Sequence, residues 1–490
     1  MAVNFNVMFC RHPCRVSDFL RFQRRFKHKN THWSVIAKRK SPKDKALEHF
    51  DDFYKSIYGK QWPSIRIGLL SPHKYCAVIN NFGDTETTVE DLQNQGAINI
   101  RRLFEIEAER IKAKKSETTK RRRLERVFEM DRKMEKDISS KQEQLASSSQ
   151  VGDHTGAKNA DSAYDKERHQ IDNLRIIDPS IGLSAGALQE FVPATQLKGL
   201  DDYVPESQHY NYYKDASDFP VVIKSEESLN FPKYLNVFTF ERGNVMPFPE
   251  PKTGSTGVLN YFLLNGSSLL PILALGVEPG DAVLDMCAAP GGKSYMILQT
   301  LHPKYLVCND IQHSRVRRIK SMFKQYLYDF EKWEKQIIIT EGDGSAIDEE
   351  DLYDKILVDV PCTTDRHSVT ENDNNIFKPT RVKERLRLPE LQAKLLSNAL
   401  RMVRVGGSVV YATCSLSPIQ NDGVVHMALR KIWEETKVQV EIRDLTSALD
   451  SARSIFRFSH RNGSRYGHLV LPFLPSNFGP LYFCKFMRTA

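Results

Sequence analysis

Residues 281–293 read DAVLDMCAAPGGK, and the apolar stretch SYMILQTL follows directly. A short β-branched run therefore ends in a turn of small residues, and the residues beyond it favour a helix. Two glycines let the backbone approach a ligand closely, although a purely structural tight turn explains the same residues equally well. Neither GxxxxGK[ST] nor GxGxxG occurs here, so a P-loop is not supported and a dinucleotide site is disfavoured.

Four further apolar, β-branched runs follow at intervals that leave room for crossover helices. They are YLVCND (305–310), QIIITEGDG (336–344), DKILVDVPC (354–362) and GSVVYATCS (407–415). This alternation predicts an α/β fold, with a doubly wound, mostly parallel sheet and helices on both faces. The tail HLVLPFLPSNFGPLYFCKF (468–486) predicts two more strands, in an antiparallel hairpin that closes the sheet.

The positive charge is concentrated at the amino terminus. The 490 residues carry a net charge of +9, and residues 1–42 alone hold ten Lys/Arg against one acid, Asp18. The rest of the protein is therefore neutral, so affinity for nucleic acid must come from local patches. An Arg-rich, acid-poor segment with interspersed apolar residues predicts a mitochondrial targeting segment over 1–42, and hence a matrix location. A disordered basic arm that binds nucleic acid is the alternative.

Composition divides the remaining chain into four parts. Residues 43–100 predict an N-terminal helical segment, and residues 101–165 predict a charged helix followed by a flexible Ser/Gly/Asn-rich linker. A connecting segment with weak periodicity covers 166–233, and the sheet domain covers 234–490. No apolar run approaches the roughly 18 residues that a membrane-spanning helix needs, so membrane insertion is not expected.

Acidic residues follow successive strands of the predicted sheet. Asp310, the pair Asp343 and Gly344, and Asp359 each end one of the apolar runs. Because the carboxyl ends of parallel strands meet at one edge of a sheet, these carboxylates should face a single cleft. An acid after the second strand is well placed to accept hydrogen bonds from ribose hydroxyls. Together with CAAPGGK, the set predicts S-adenosyl-L-methionine rather than NAD as the cofactor.

Two cysteines also end neighbouring strands, Cys362 in DVPC and Cys414 in YATC. A lone cysteine at such a place is most often a core residue, because free cysteine is among the most buried residue types. No metal site is expected, since the eight cysteines form no C-x-x-C pair and only His367 is near. Two thiols beside an acid instead favour nucleophilic catalysis. Addition of a thiolate to C6 of cytosine makes C5 nucleophilic enough to accept a methyl group.

Five motifs together resemble the Sun-domain (Nol/Nop/Sun, RsmB-like) RNA cytosine-C5 methyltransferases: CAAPGGK, NDI, EGDG, DVPC and YATCSLSPIQND. The resemblance covers residues 234–490 and implies the class I S-adenosylmethionine-dependent methyltransferase fold. PCTTDRHS, followed by NNIFKPTRVKERLRLPELQ, is similar to the mitochondrial branch of the family, which acts on small-subunit ribosomal RNA. Most relatives read PCSG, with glycines after the cysteine, where this chain has PCTTDRH.

The resemblance implies roles for individual residues. It makes Cys414 the nucleophile and Cys362 the residue that assists product release, and it places Asp359 between the cofactor and the target base. The residues that it implies for cofactor binding are Cys287, Ala288, Ala289, Pro290, Gly291, Gly292, Lys293, Asp310, Arg315, Asp343, Gly344 and Asp359. In this arrangement Asp310 binds the ribose, and Asp343 with Gly344 lies on the adenine side.

The implied partners are mitochondrial ribosomal RNA and a helical-repeat protein of the mitochondrial termination-factor family. Two basic clusters, residues 311–328 and 378–387, could contact RNA phosphates or could equally be solvated helix faces. Three other functions remain open at this point. One is a Sun-type tRNA methyltransferase, the second is a ribosome-assembly factor that retains the fold without catalysis, and the third is a DNA methyltransferase.

Overall fold

The computed structural model describes residues 40–147, 219–459 and 464–490. The predicted targeting segment up to residue 39 and the predicted linker over 148–165 lie outside the described residues. Most of the predicted connecting segment lies outside them as well. Within the described ranges, no helix is both long enough and apolar enough to cross a membrane.

The described residues form thirteen strands and ten α-helices. The strands are β1 (Tyr75–Ile79), β2 (Ile98–Asn99), β3 (Val222–Ser225), β4 (Val237–Thr239), β5 (Tyr261–Asn265), β6 (Ala282–Asp285), β7 (Tyr305–Asp310), β8 (Ile337–Glu341), β9 (Tyr353–Asp359), β10 (Val403–Thr413), β11 (Val440–Asp444), β12 (His468–Val470) and β13 (Leu481–Arg488). The helices are α1 (Pro42–Tyr58), α2 (Trp62–Leu70), α3 (Thr85–Asn94), α4 (Ile100–Ser147), α5 (Leu269–Leu275), α6 (Gly292–Leu298), α7 (His313–Tyr326), α8 (Asp365–Thr370), α9 (Val382–Met402) and α10 (Val424–Glu435).

The larger sheet contains nine of these strands. Its order is β3-β11-β13-β10-β9-β6-β7-β8, with β12 paired to β13. The strands β10, β9, β6, β7 and β8 are mutually parallel, and they correspond to the five apolar runs of the sequence. The predicted α/β fold with a doubly wound, mostly parallel sheet is therefore confirmed. β6 is the central strand of the five, so the direction of winding reverses between β6 and β9.

Both faces of this sheet are covered by helices. Alternate residues of β10 enter opposite layers: Val410 packs in the same core as α5, α6 and α7, whereas Val409 packs with α1, α9 and α10. Successive side chains of a strand point to opposite faces, so a strand covered on both sides must be apolar throughout. This explains why each predicted strand is a continuous apolar run and does not alternate with polar residues.

The antiparallel end of the sheet is built by β13. It pairs antiparallel with β10 on one side and with β11 on the other, and β12 forms an antiparallel hairpin with its first residues. The hairpin predicted from the tail is present. The register pairs Thr413 with Tyr482, so the start of β13 lies at the carboxyl edge of the parallel strands.

A second, four-stranded antiparallel sheet has the order β2-β4-β1-β5. The segment 43–100 was expected to be helical, but it supplies β1 and β2 as well as three helices. Strand β1 pairs with β4 and β5, which belong to the predicted domain 234–490. The small sheet therefore crosses the boundary expected at residue 234, because its pairings join residues that are far apart in the sequence.

The first helix, α1, packs against the larger sheet domain. Ser41 and Asp44 form a capping box at its start, which satisfies two backbone donors that the first turn leaves free. Its buried side chains Phe50 and Tyr54 face α8 and the residues after it, where Phe50 meets Phe377 edge to face. The start of the described chain is thereby fixed beside the loop that follows β9.

The long charged helix α4 covers Ile100–Ser147, where the sequence favours a charged helix. Its first turns are anchored, because Ile100 and Phe104 are buried in the core beside the small sheet. Farther along, Leu124 and Phe128 are exposed to solvent, at 58% and 67% of their surface. The second half of this helix therefore makes no core contact through those two apolar side chains.

Candidate active site

The candidate site lies at the carboxyl edge of the parallel strands, beside the point where the winding reverses between β6 and β9. In open α/β sheets this is where ligands bind. A cleft of about 1750 Å³ opens here. Its lining includes Ala289, Pro290, Arg315 and Cys362, which are four of the residues that the sequence singled out.

The turn after β6 is held by the neighbouring strand and by α7. The amide of Ala288 donates to the carbonyl of Asn309 at 2.8 Å, and the Arg315 guanidinium donates to the carbonyl of Ala289 at 2.9 Å. Gly291 has φ +110°, and a side chain there would collide with Met322. The positive φ requires glycine here, whereas the end of the flexible Met322 side chain could move aside.

Asp310 ends β7 with its side chain almost fully buried, at 3% exposure. One carboxylate oxygen accepts from the amide of Gln312 at 3.1 Å, and the other lies 3.4 Å from Arg315 Nε. Arg315 thus connects Asp310 to the turn after β6. Asp343 is more exposed and accepts from Ser345, while Gly344 packs closely on Met286 at the end of β6.

A cluster of charged groups lies beneath the turn. Lys293, which was expected at the cofactor, forms an ion pair of 2.6 Å through its Nζ with Asp359 at the end of β9. Burial raises the pKa of Asp285 to about 7. One of its oxygens accepts from Ser294, and the other has no hydrogen-bond partner. Sequence reasoning missed Asp285, although it is the last residue of β6, as Asp310 is of β7 and Asp359 is of β9, so the strand-end pattern could have found it.

The two cysteine sulfurs are in contact. Cys362 Sγ and Cys414 Sγ lie 3.1 Å apart, at the ends of the adjacent parallel strands β9 and β10. The hydrogen bond from Cys414, with further ones from the amides of Thr364 and Cys414, lowers the pKa of the Cys362 thiol. The same sulfur–sulfur contact, together with burial, raises the pKa of Cys414 well above its usual range. Of the two thiols, Cys362 is therefore the one that loses its proton more easily.

The loops that carry the two cysteines are joined by a buried carboxylate, Asp365. It accepts hydrogen bonds from the Tyr54 hydroxyl at 2.8 Å and from the Leu416 amide at 2.7 Å, and also from the Thr363 hydroxyl. Thr363 follows one cysteine, and Leu416 lies two residues after the other. Burial raises the pKa of Asp365, although these donors oppose the rise. One side chain thus fixes both cysteine loops and binds them to α1.

The next residue, Arg366, holds the same loop from another side. Its guanidinium donates to the carbonyls of Gly68 and Ser71, each at 2.7 Å, at the end of α2. It also donates to the carbonyl of Gly479 and the side chain of Asn477, before β13. Burial lowers its pKa to about 10. A cation is favoured at a helix C-terminus, where carbonyl groups lack intrahelical donors.

The sequence contained a signal for Asp365 and Arg366 that local reasoning did not use. Both belong to the TTDRH stretch, which identified a branch of a family but gave no structural role. The two predicted basic clusters lie only partly at the cleft. The residues that line it include Arg318, Arg381, Arg385 and Arg387, whereas Lys324 does not line it.

Among the described residues, no group of three His, Cys, Asp or Glu side chains could hold a metal ion.

Comparison with known proteins decides the family. Residues 272–466 match the family described as 16S rRNA methyltransferase RsmB/F. The 5-cytosine rRNA methyltransferase nsun-4 of Caenorhabditis elegans is 36% identical over 457 residues, which cover 92% of each chain. The chain belongs to the RsmB/F family of RNA cytosine-C5 methyltransferases. The 5-cytosine rRNA methyltransferase NSUN4 of Xenopus tropicalis is 34% identical, with 97% of each chain covered.

A further relative of this methyltransferase matches over a shorter part. The mitochondrial tRNA (cytosine(34)-C(5))-methyltransferase of Danio rerio is 39% identical over 223 residues, which cover 45% of this chain and 59% of the relative. The similarity to the two rRNA enzymes therefore extends over nearly the whole chain, whereas the similarity to the tRNA enzyme covers less than half of it. The predicted family and the predicted type of enzyme are confirmed.

Proposed function

We propose that this methyltransferase uses S-adenosyl-L-methionine to methylate C5 of a cytosine in mitochondrial small-subunit ribosomal RNA, through a covalent bond between Cys414 and C6. The observation that carries the proposal is the contact of 3.1 Å between Cys362 and Cys414, at the carboxyl edge where the cofactor turn also lies. Two thiols in contact supply a nucleophile and a general base in the same place.

The residues at this edge suit the proposed cofactor. S-adenosyl-L-methionine supplies an electrophilic methyl group when it is bound. Its ribose hydroxyls and its amines are hydrogen-bond donors, and the site offers acceptors in Asp310, Asp343 and the unpartnered oxygen of Asp285. The turn 287–293 with Gly344 would hold it beside Asp359, while Arg315 fixes the shape of the turn.

The proposed reaction begins at Cys414. Its thiol gives its proton to water, and the Cys414 sulfur adds to C6 of the cytosine, which places the displaced electron pair at C5. C5 bonds the methyl group with that pair, and the electrons of the broken methyl–sulfur bond stay on the donor sulfur, so that S-adenosyl-L-homocysteine leaves. Lys293 pairs with Asp359 beside the two sulfurs, so its positive charge favours the negative state of Cys414 while the bond forms.

Release reverses the first step. The Cys362 thiolate takes the proton at C5, and the C6–S bond breaks with its electrons returning to the Cys414 sulfur. Cys414 then regains a proton from water, and Cys362 gives up to water the proton that it took. Replacement of Cys362 should therefore spare bond formation and impair release, whereas replacement of Cys414 should prevent both.

One argument favours rRNA over tRNA as the substrate, and two others favour the mitochondrial branch and the mitochondrial compartment. Both relatives named for rRNA match more than nine-tenths of the chain, and the tRNA relative matches less than half. The TTDRH stretch of the mitochondrial branch forms the contacts that support the cysteine loops. The basic segment 1–42 favours the mitochondrial matrix. We further propose that the enzyme supports ribosome assembly, with a helical-repeat partner of the mitochondrial termination-factor family.

The test is bisulfite sequencing of mitochondrial RNA from cells depleted of this protein. Loss of 5-methylcytosine at one small-subunit rRNA position is expected, and it should return with the wild-type chain but not with Cys414→Ser. Loss of a tRNA site with all rRNA sites intact would favour the tRNA alternative. If ribosome assembly stays normal with Cys414→Ser, the assembly role does not depend on methyl transfer.

A further inference from the structure

A cluster of arginines lies outside the cleft, around the ring of Phe473. The guanidinium carbons of Arg242 and Arg457 both lie 5.1 Å from the centre of this ring. Stacking on an aromatic face holds a guanidinium in one orientation and leaves its N–H donors free at the edge. Two cations are thus oriented around a single side chain.

The cluster borders a cavity of about 240 Å³ that no carboxylate lines. Arg242, Arg453 and Arg457 contribute to its wall, together with the hydroxyl-bearing Ser454 and Ser476. Arg453 forms an ion pair with Asp450, at 2.8 Å. Neither Arg242 nor Arg457 forms an ion pair with any described carboxylate. Within the described part of the chain, the Arg457 side chain donates one hydrogen bond, to the Ser64 hydroxyl at 3.2 Å. Unneutralised cations around a small polar cavity suit an anion such as phosphate.

The topology places this cavity at the same edge of the sheet as the two cysteines. Phe473 lies between β12 and β13. The first residues of β13 pair with the end of β10, where Thr413 directly precedes Cys414. Arg453 and Arg457 follow β11, which runs parallel to β10 and so ends at that edge. The amide of Gly243 donates to the carbonyl of Pro475 at 2.7 Å, which brings Arg242 to the same place.

The segment before β13 also contacts the cysteine loops. Arg366, four residues after Cys362, donates to Gly479 and Asn477 of this segment. The arginine cluster therefore lies beyond the segment that Arg366 holds, on the surface next to the catalytic edge. An RNA strand whose target cytosine lies in the cleft continues along this edge in at least one direction.

We propose that Arg242, Arg457 and Phe473 form a second RNA-contact site, which binds a phosphodiester of the substrate outside the target nucleotide. This inference rests on the proposed action on RNA and adds a surface that is separate from the cleft. Phosphate contacts of this kind fix the orientation of the nucleic acid without reading its sequence. The site therefore positions a long RNA but is not needed for the chemistry at C5.

The test compares the binding of two RNAs to the full chain at several salt concentrations. One is a transcript of mitochondrial small-subunit rRNA, and the other is a short oligomer that only fills the cleft. For Arg242→Gln with Arg457→Gln, the Kd for the transcript should rise about tenfold, and the slope of log Kd against log salt should fall by roughly 1 to 2. The Kd for the oligomer and for S-adenosyl-L-methionine should not change.

The matched control removes two lysines from the opposite edge of the sheet, Lys304→Gln with Lys437→Gln, which precede β7 and β11. It should leave the salt slope unchanged. Arg242→Lys with Arg457→Lys keeps the charge but loses the planar stacking, and it should restore part of the affinity.

An unchanged Kd and salt slope in the double glutamine variant would overturn the site. The surface would then be free for a protein partner, which the exposed Met246 and Leu474 nearby would also suit. If the wild-type chain binds neither RNA, the proposed action on RNA fails as well. The two failures are distinguishable, because only the second involves the unaltered protein.

Discussion

The loops after β9 and β10 occupy equivalent places in the sheet, but the structure supports them differently. Cys362 is followed by α8, where Asp365 and Arg366 make contacts with α1, α2 and the segment before β13. Cys414 is followed by a single turn of π-helix over Ile419–Gly423, and Asn421 donates back to the carbonyl of Ser415. The first loop is thus held directly by α1, α2 and the segment before β13. The second is held by its own continuation and, at Leu416, by Asp365 and the Tyr58 hydroxyl of α1.

This difference shows how two similar thiols acquire different states. Hydrogen bonds from Cys414 and from the amides of Thr364 and Cys414 lower the pKa of Cys362. The contact with Cys362 and burial raise the pKa of Cys414, and the nearby Asp359 carboxylate adds to the rise. The sequence positions are alike, but the surrounding donors and charges make Cys362 the more acidic of the two thiols.

The largest effect is expected from Asp365→Ala. This change leaves the buried Tyr54 hydroxyl and Leu416 amide without an acceptor, which should lower the free energy of unfolding by about 3 kcal/mol. Displacement of either cysteine by even about 1 Å should reduce methyl transfer at least roughly 100-fold. Chemical denaturation and a methyl-transfer assay on folded protein measure the two effects separately.

The control for this variant is Asp373→Ala, an exposed acid on the following loop, which should change stability by less than about 0.5 kcal/mol. Asp365→Asn keeps one acceptor oxygen and should fall between the two. Full methyl transfer by folded Asp365→Ala would show that the cysteine loops do not need this carboxylate.

A smaller effect is expected in the reactivity of the two thiols. Because the pKa of Cys362 is lowered and that of Cys414 is raised, iodoacetamide at about pH 7 should alkylate Cys362 at least roughly tenfold faster. Peptide mass spectrometry after timed exposure measures both rates in one sample. As the pH rises, the rate at Cys362 should reach its plateau at a lower pH than the rate at Cys414.

The variant Cys362→Ser sharpens this comparison. A serine removes the neighbouring thiolate and can donate a hydrogen bond, so the rate of Cys414 alkylation at the same pH should increase. Faster alkylation of Cys414 than of Cys362 in the wild-type chain would reverse the order of acidity within the pair.

Local sequence patterns predicted the catalytic half of the fold well. Each parallel strand is a short apolar run that ends in a polar or glycine-containing turn, and such runs form buried strands whose ends share an edge. The positions of Cys362, Cys414, Asp310 and Asp359 at one edge follow from that rule alone. Each of these residues is placed by the strand that it ends, so its position can be predicted without any contact between distant residues.

Other features depend on contacts between distant residues, and local patterns could not predict them. Tyr54 and Asp365 are 311 residues apart, so nothing near either one indicates that they form a buried hydrogen bond. The small sheet joins β1 to β4 and β5 across more than 150 residues of chain. Asp285 is a partial case: the strand-end pattern places it at this edge, but its burial beside Lys293 and Asp359 depends on how β6, β9 and α6 pack.

The most direct test of the account is a comparison of Cys414→Ser and Cys362→Ser on RNA that contains the target cytosine. The account predicts that Cys362→Ser forms a covalent enzyme–RNA complex, seen as a shifted band that survives denaturation. It predicts that Cys414→Ser gives neither this complex nor methyl transfer. A complex with Cys414→Ser and none with Cys362→Ser would contradict it and make Cys362 the nucleophile.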